Sequence, residues 1–184
     1  PDYFGKDFVL NDLTHDGGLT AIRIEGPTNS VDQRANRLSK ELGLLDQELS
    51  ILDSEQSNIF WSRTKNLEVF KSLKSNLLRI VLPMSETLQV IQKLKNFEIK
   101  YFIDWGGGLI WASFDQLNTK ILSEIKDTVK KHQGYITLIK VEEDLKASAD
   151  IFTIDPIKYK ISEKIKRSFD PKRIFNPGKM YTGI

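Results

Sequence analysis

NLLRIVLPMSETLQVIQKLKNFEIKYFIDWGGGLIWASFDQLNTKILSEIKDTVKKHQGYITLIKV, residues 76–141, is the stretch that decides the fold. Its apolar residues recur with period two, then near 3.6, and the switches fall at turn residues. The reading is a strand over 77–82, a helix over 85–96, a strand over 99–104, a glycine turn, a strand over 108–114, a helix over 117–132 and a strand over 135–141. The first helix carries Leu88, Ile91 and Leu94 on one face, and the second carries Leu117, Ile121, Leu122, Ile125 and Val129. Strand, helix, strand, strand, helix, strand is the order of the ferredoxin-like split unit. The expected class is therefore α+β, with a mixed, mostly antiparallel sheet of five to seven strands over the whole chain and helices mainly on one face. Leu78, Ile80 and Leu82 oppose Leu77 and Val81, and Tyr101 and Ile103 oppose Phe102, so both faces of the sheet are apolar. The second face needs a cover, supplied by the chain's own extra helices or by another domain or subunit.

Outward from this core the signals weaken. Residues 1–18 read as a linker or edge segment with a short strand near Asp7 to Leu10, and 19–155 as the α+β unit. Thr20 to Glu25 alternates as a half-buried strand that Gly26-Pro27 stops. Ser30 to Gln33 fits a capping box for a helix lined by Val31, Ala35, Leu38 and Leu42 and ended by Gly43. A strand over Leu45 to Leu52 and a helix capped at Asp53 or Ser54 follow. Residues 142–153 read as a polar connection. Over 156–184, Asp155-Pro156 starts a last helix with Ile157, Ile161, Ile165 and Phe169 four apart, and an extended tail follows.

Composition excludes several classes. With 184 residues, 40% hydrophobic, the chain can bury one sizeable core. A formal charge of +2 with interspersed signs gives no field for nucleic acid, and the ribonucleoprotein motif is lacking. No cysteine is present for disulfides, thiolate metal sites or iron–sulfur clusters. Apolar runs such as Ile80-Val81-Leu82 fall far short of the ~20 residues that span a bilayer. An opening on Pro1 is what a piece of a longer protein would show.

Two segments invite chemistry. The tail Asp170-Pro171-Lys172-Arg173-Ile174-Phe175-Asn176-Pro177-Gly178-Lys179 holds two prolines that push Asp170 and Asn176 toward extended backbone. It is either a stiff arm packed on its own domain or one that reaches something outside. The turn Trp105-Gly106-Gly107-Gly108 is either a hairpin needing positive φ or bare backbone beside an indole, a flat surface for a flavin or an organic substrate. Asp104 caps that turn or acts as a base. His15 and His132 have no ligand-type neighbours, so no metal site is expected, and His132 reads as a cation at a helix C-terminus.

The tail motif, Ile103-Asp104-Trp105-Gly106-Gly107-Gly108-Leu109-Ile110-Trp111, and Gly134-Tyr135-Ile136-Thr137-Leu138 occur in an order that resembles the C-terminal part of FAD-linked oxidase subunits of the vanillyl-alcohol oxidase type, those of bacterial glycolate oxidase in particular. The likeness spans roughly residues 20–184 and is only a pattern in the N-terminal third. It implies the C-terminal cap, or substrate-side, domain of an FAD-dependent 2-hydroxy-acid (glycolate) oxidase or dehydrogenase subunit. The tail would return toward an N-terminal FAD domain absent from this chain. On that reading Asn176, Lys179 and Trp105 are cofactor-side contacts in the full-length protein, and no catalytic residue is assigned. The fragment alone is expected to carry no FAD and to be inactive. Implied partners are that FAD domain and the companion flavoprotein and iron–sulfur subunits, in the cytoplasm and peripheral at the inner membrane through the complex. The alternative is a non-enzymatic ferredoxin-like interaction or ligand-sensing module.

Overall fold

The computed structural model describes residues 18–43, 49–70, 76–148, 150–153, 155–179 and 181. Its centre is one four-stranded antiparallel sheet of β1 (Asn76–Val81), β2 (Ile99–Asp104), β3 (Leu109–Phe114) and β4 (Tyr135–Lys140), in the order β2-β3-β1-β4. Six α-helices are present among the described residues: α1 (Thr28–Glu41), α2 (Ser54–Lys65), α3 (Thr87–Leu94), α4 (Thr119–Lys131), α5 (Glu143–Ser148) and α6 (Pro156–Phe169).

Within residues 76–141 the expected elements and the observed ones differ by a residue or two at their ends. β1 is paired along both edges, Ile80 facing Ile110 on one side and Ile136 on the other. Helices α3 and α4 cover one face. Val90, Ile91, Leu94, Leu122, Ile125 and Val129 meet Leu78, Ile80, Ile110, Ala112, Phe114 and Ile136 in the main core. Each Val, Leu, Ile or Phe side chain among them contributes roughly 1.5–3 kcal/mol on full burial. Leu88, expected in that stripe, is exposed; Thr87 and Val90 take its place, because α3 starts later and rotates its buried arc. Asn118, whose carbonyl oxygen accepts from Ile121 N at 2.9 Å, sets the start of α4 two residues past the expected position.

The sheet's second face is covered in part by the chain itself. A capping box between Asp53 and Gln56 starts α2, which buries Phe60 and Thr64. The turn Glu68–Phe70 then lays Phe70 on Phe102, ring centroids 5.7 Å apart, and Phe102 leans on Trp111 at 6.4 Å. Leu19, Leu67 and Val69 pack around this row.

Other expectations are corrected. Residues 20–25 are irregular, with Ile22 exposed: alternation supplies a face, but a strand forms only where a partner completes its ladder, and among the described residues none does. Helix α1 begins at Thr28 with Pro27 as its cap and no side-chain bond, so Ser30 lies inside the helix and the Ser30 to Gln33 box is not formed. Residues 49–52 are irregular, while 44–48, the segment near Asp7 to Leu10 and His15 lie outside the described residues. The sheet has four strands among the described residues rather than five to seven. The polar connection at 142–153 contains α5, which Leu145 anchors in the main core. Thr137 and Phe152 then form a bridge at the outer edge of β4.

One contact tests the packing directly. A Cβ added at Gly134 would lie 2.7 Å from Val129 Cγ1, 2.9 Å from Leu82 Cβ and 2.9 Å from Val81 O. Gly134→Ala is expected to destabilise the protein by about 1–3 kcal/mol. Urea unfolding monitored by far-ultraviolet circular dichroism measures it, and an unchanged midpoint would show that α4 does not approach β1 this closely.

Candidate functional site

The turn after β2 is pinned on every side. Asp104 accepts from Trp105 N at 2.7 Å, so of the two roles open to it the turn cap is the one observed. Thr87 Oγ1 donates to Gly107 O, Gly108 O accepts from Leu82 N at 3.2 Å, and Met84 lies against Gly107. Gly106 and Gly107 have φ of +61° and +113°, which explains two of the three glycines. Trp105 itself has φ +55°, a left-handed backbone that a bulky aromatic rarely adopts. The indole is 59% exposed and lies over Arg79, whose Cζ is 5.0 Å from the ring centroid. Arg79 escaped the sequence reading, although a lone charge among Leu77, Leu78, Ile80 and Val81 was a visible signal.

The tail is organised by Asp170, which is buried. Its two carboxylate oxygens accept from Ile174 N and Phe175 N, each at 2.9 Å, and Lys166 Nζ is 2.7 Å away. Lys166 also donates to Phe175 O at 2.5 Å. The Lys166 hydrogen bond, reinforced by the two backbone amides, holds the Asp170 carboxyl down at about 2 against an ordinary 3.8. The chain bends at 170–173 and again at 176–179 instead of running extended, and Asn176, before Pro177, takes φ +45°. Beyond it Tyr181 packs between Phe152 and Tyr159, at 5.9 and 6.1 Å.

Asn176 and Lys179 are exposed and joined by one turn bond, Lys179 N to Asn176 O at 3.3 Å. Trp105 engages Arg79. Of the three candidate residues the structure joins Asn176 and Lys179 in one turn, and no hydrogen bond or ring contact links that turn to Trp105 among the described residues. His132 ends α4 as expected, with Nδ1 2.6 Å from Glu86 Oε2 and Nε2 3.2 Å from Lys93 Nζ. Among the described residues no group of His, Cys, Asp or Glu is arranged to hold a metal, and no helix is long and apolar enough to cross a membrane.

Because the folded Asp170 value lies below the unfolded one, its stabilising effect is complete above about pH 4 and disappears as pH falls through about 2. The amide resonances of Ile174 and Phe175 are expected to titrate with a midpoint near 2. Asp170→Asn is expected to speed hydrogen exchange at both amides. A midpoint near 4, or unchanged exchange in the variant, would mean that the carboxylate does not hold the tail.

No family model matches the chain, and no solved structure matches it. Among curated proteins, the glycolate oxidase subunit GlcE of Escherichia coli is 26% identical over 166 residues, which is 89% of this chain and 39% of that protein. The chain therefore spans well under half the length of this relative. The homology is weak, covers part of the subunit, and is consistent with a C-terminal part of GlcE.

Proposed function

We propose that this chain is the C-terminal cap, on the substrate side, of an FAD-dependent 2-hydroxy-acid (glycolate) oxidase or dehydrogenase subunit whose FAD domain lies outside this sequence. The observation that carries the reading is the homology to a glycolate oxidase subunit over 89% of the chain. The strand order β2-β3-β1-β4 supports a ferredoxin-like unit at 76–141 as the body of the cap.

Helix α6 adds structural support, because it is inside out. It turns Tyr159, Ser162, Glu163 and Lys166 toward its own domain, where they are partly buried. Its apolar row faces solvent: Ile157 is 70% exposed, Ile161 53%, Ile165 54% and Phe169 84%. Ile174 and Phe175 extend the row into the tail, both exposed. A contiguous apolar stripe of this kind marks a surface that another body covers, and the reading assigns it to the FAD domain.

The chain's own residues fit a minor part in holding the cofactor. Asn176 offers an amide and Lys179 a cation, both exposed in the tail, and Trp105 a flat exposed ring. On this reading the tail pair and Trp105 each supply a separate contact to a flavin and not a dinucleotide cradle, which belongs to the other domain. When bound, the flavin supplies the acceptor for the hydride leaving the α-carbon of the hydroxy acid. The companion flavoprotein and iron–sulfur subunits complete the assembly, in the cytoplasm and at the inner membrane through the complex.

The test is colour. Purified alone, the 184-residue chain is expected to show no flavin absorbance and no glycolate oxidation, whereas the chain joined in frame to its preceding flavin domain should carry FAD. A stoichiometrically yellow fragment, or a preceding coding sequence with no flavin domain, would overturn the proposal and favour a free-standing ligand-sensing module.

A further inference from the structure

We propose that Arg79 is a recognition site for a small organic carboxylate, on the sheet face turned away from α3 and α4. The assignment stands apart from the flavin reading, and either can fail without the other.

Arg79 sits in the middle of β1, one of the two inner strands, flanked in register by Trp111 of β3 and Thr137 of β4. Residues opposite one another in antiparallel strands share a face, so the guanidinium, an indole and a hydroxyl lie side by side. The row is the one that Phe102 and Trp111 begin. Arg79 is partly buried, yet among the described residues no carboxylate or carbonyl takes any of its N–H groups; its one recorded contact is the Trp105 ring. Asp104, in the adjoining turn, gives its carboxylate to Trp105 N and forms no ion pair with it. A guanidinium has five donors in a rigid fork, and desolvating such a group without partners is unfavourable.

Trp105 supplies the second, independent observation. Its indole is held over the guanidinium by a left-handed backbone, φ +55°, which Asp104, the Thr87 bond to Gly107 and the Met84 contact together enforce. Strain in a bulky residue persists where the surrounding structure over-determines it, and such positions concentrate at ligand clamps. Contact with the indole restrains the guanidinium, and a guanidinium's N–H fork pairs two parallel donors with two carboxylate oxygens.

Size and charge of the ligand follow from the neighbours. Among the described residues Arg79 is the cation of this row, which matches a monoanionic carboxylate better than a dianionic phosphate. Leu77 and Val81 flank Arg79 along β1 on the same face, with Thr137 beside it, so the rest of the ligand is small and apolar or hydroxylated.

The experiment uses the 184-residue chain, ¹⁵N-labelled, titrated with lactate and separately with inorganic phosphate at constant ionic strength. The Trp105 indole N–H and the Arg79 Nε–H resonances are expected to shift saturably with lactate, with a Kd on the order of 1 mM, and more weakly with phosphate. Arg79→Met should abolish the saturable response, and Arg79→Lys, which keeps the charge but loses the fork, should weaken it about tenfold. Should Arg79→Met fail to fold, Trp105→Leu at an exposed position serves instead, with lactate binding expected to weaken by at least about threefold. A linear response to lactate, tighter binding of phosphate, or unchanged binding in a folded Arg79→Met or Trp105→Leu variant would overturn the assignment.

Discussion

Strand β1 is hydrogen-bonded along both edges and packed on both faces, and the rest of the molecule is arranged by that demand. Its backbone groups are satisfied only if β3 and β4 lie on either side, antiparallel; β3 arrives by way of α3 and the hairpin from β2, and β4 by way of α4. Leu78 and Ile80, wholly buried, fix which face the two crossover helices must cover. Phe70 and its neighbours then occupy part of the opposite face, where Leu77 and Phe102 would otherwise meet water. Arg79 projects from that same face, so an inner strand of the sheet, otherwise apolar apart from its first residue, also presents a cation.

What was legible in the sequence follows from which interactions are local. Strands and helices within 76–141 announce themselves by period, because each strand is paired in the sheet and each helix lies against it. The Asp53 and Asp155 caps were readable for the same reason: a side chain bonds a backbone amide two or three residues away. Residues 20–25 carry the period of a strand without the ladder, a fact about distant chain that alternation cannot encode. Leu88 was misplaced because the arc of a two-turn helix is set by where it begins, and Thr87 was not recognised as its first residue.

The candidate site was legible as residues and not as an arrangement. Trp105 was singled out for a glycine turn next to an indole, and the turn is there, but its partner Arg79 lies 26 positions earlier in sequence and two strands away in the sheet. In the tail, Asn176 and Lys179 drew notice while Asp170, the residue that shapes the segment, was read only as the neighbour of a proline. A carboxylate that accepts from two amides and a lysine at once has no one-dimensional signature, since Lys166, Ile174 and Phe175 lie on both sides of it in sequence.

The Asp170 turn has a consequence for how the protein is cut. Lys172 and Arg173 are exposed basic residues in a loop, where trypsin ordinarily nicks first. A protease must draw the bond it cleaves into extended form, and here both residues lie within the loop that Asp170 closes on Ile174 and Phe175. Susceptibility at this point is therefore set by how often the loop opens and not by how far it protrudes.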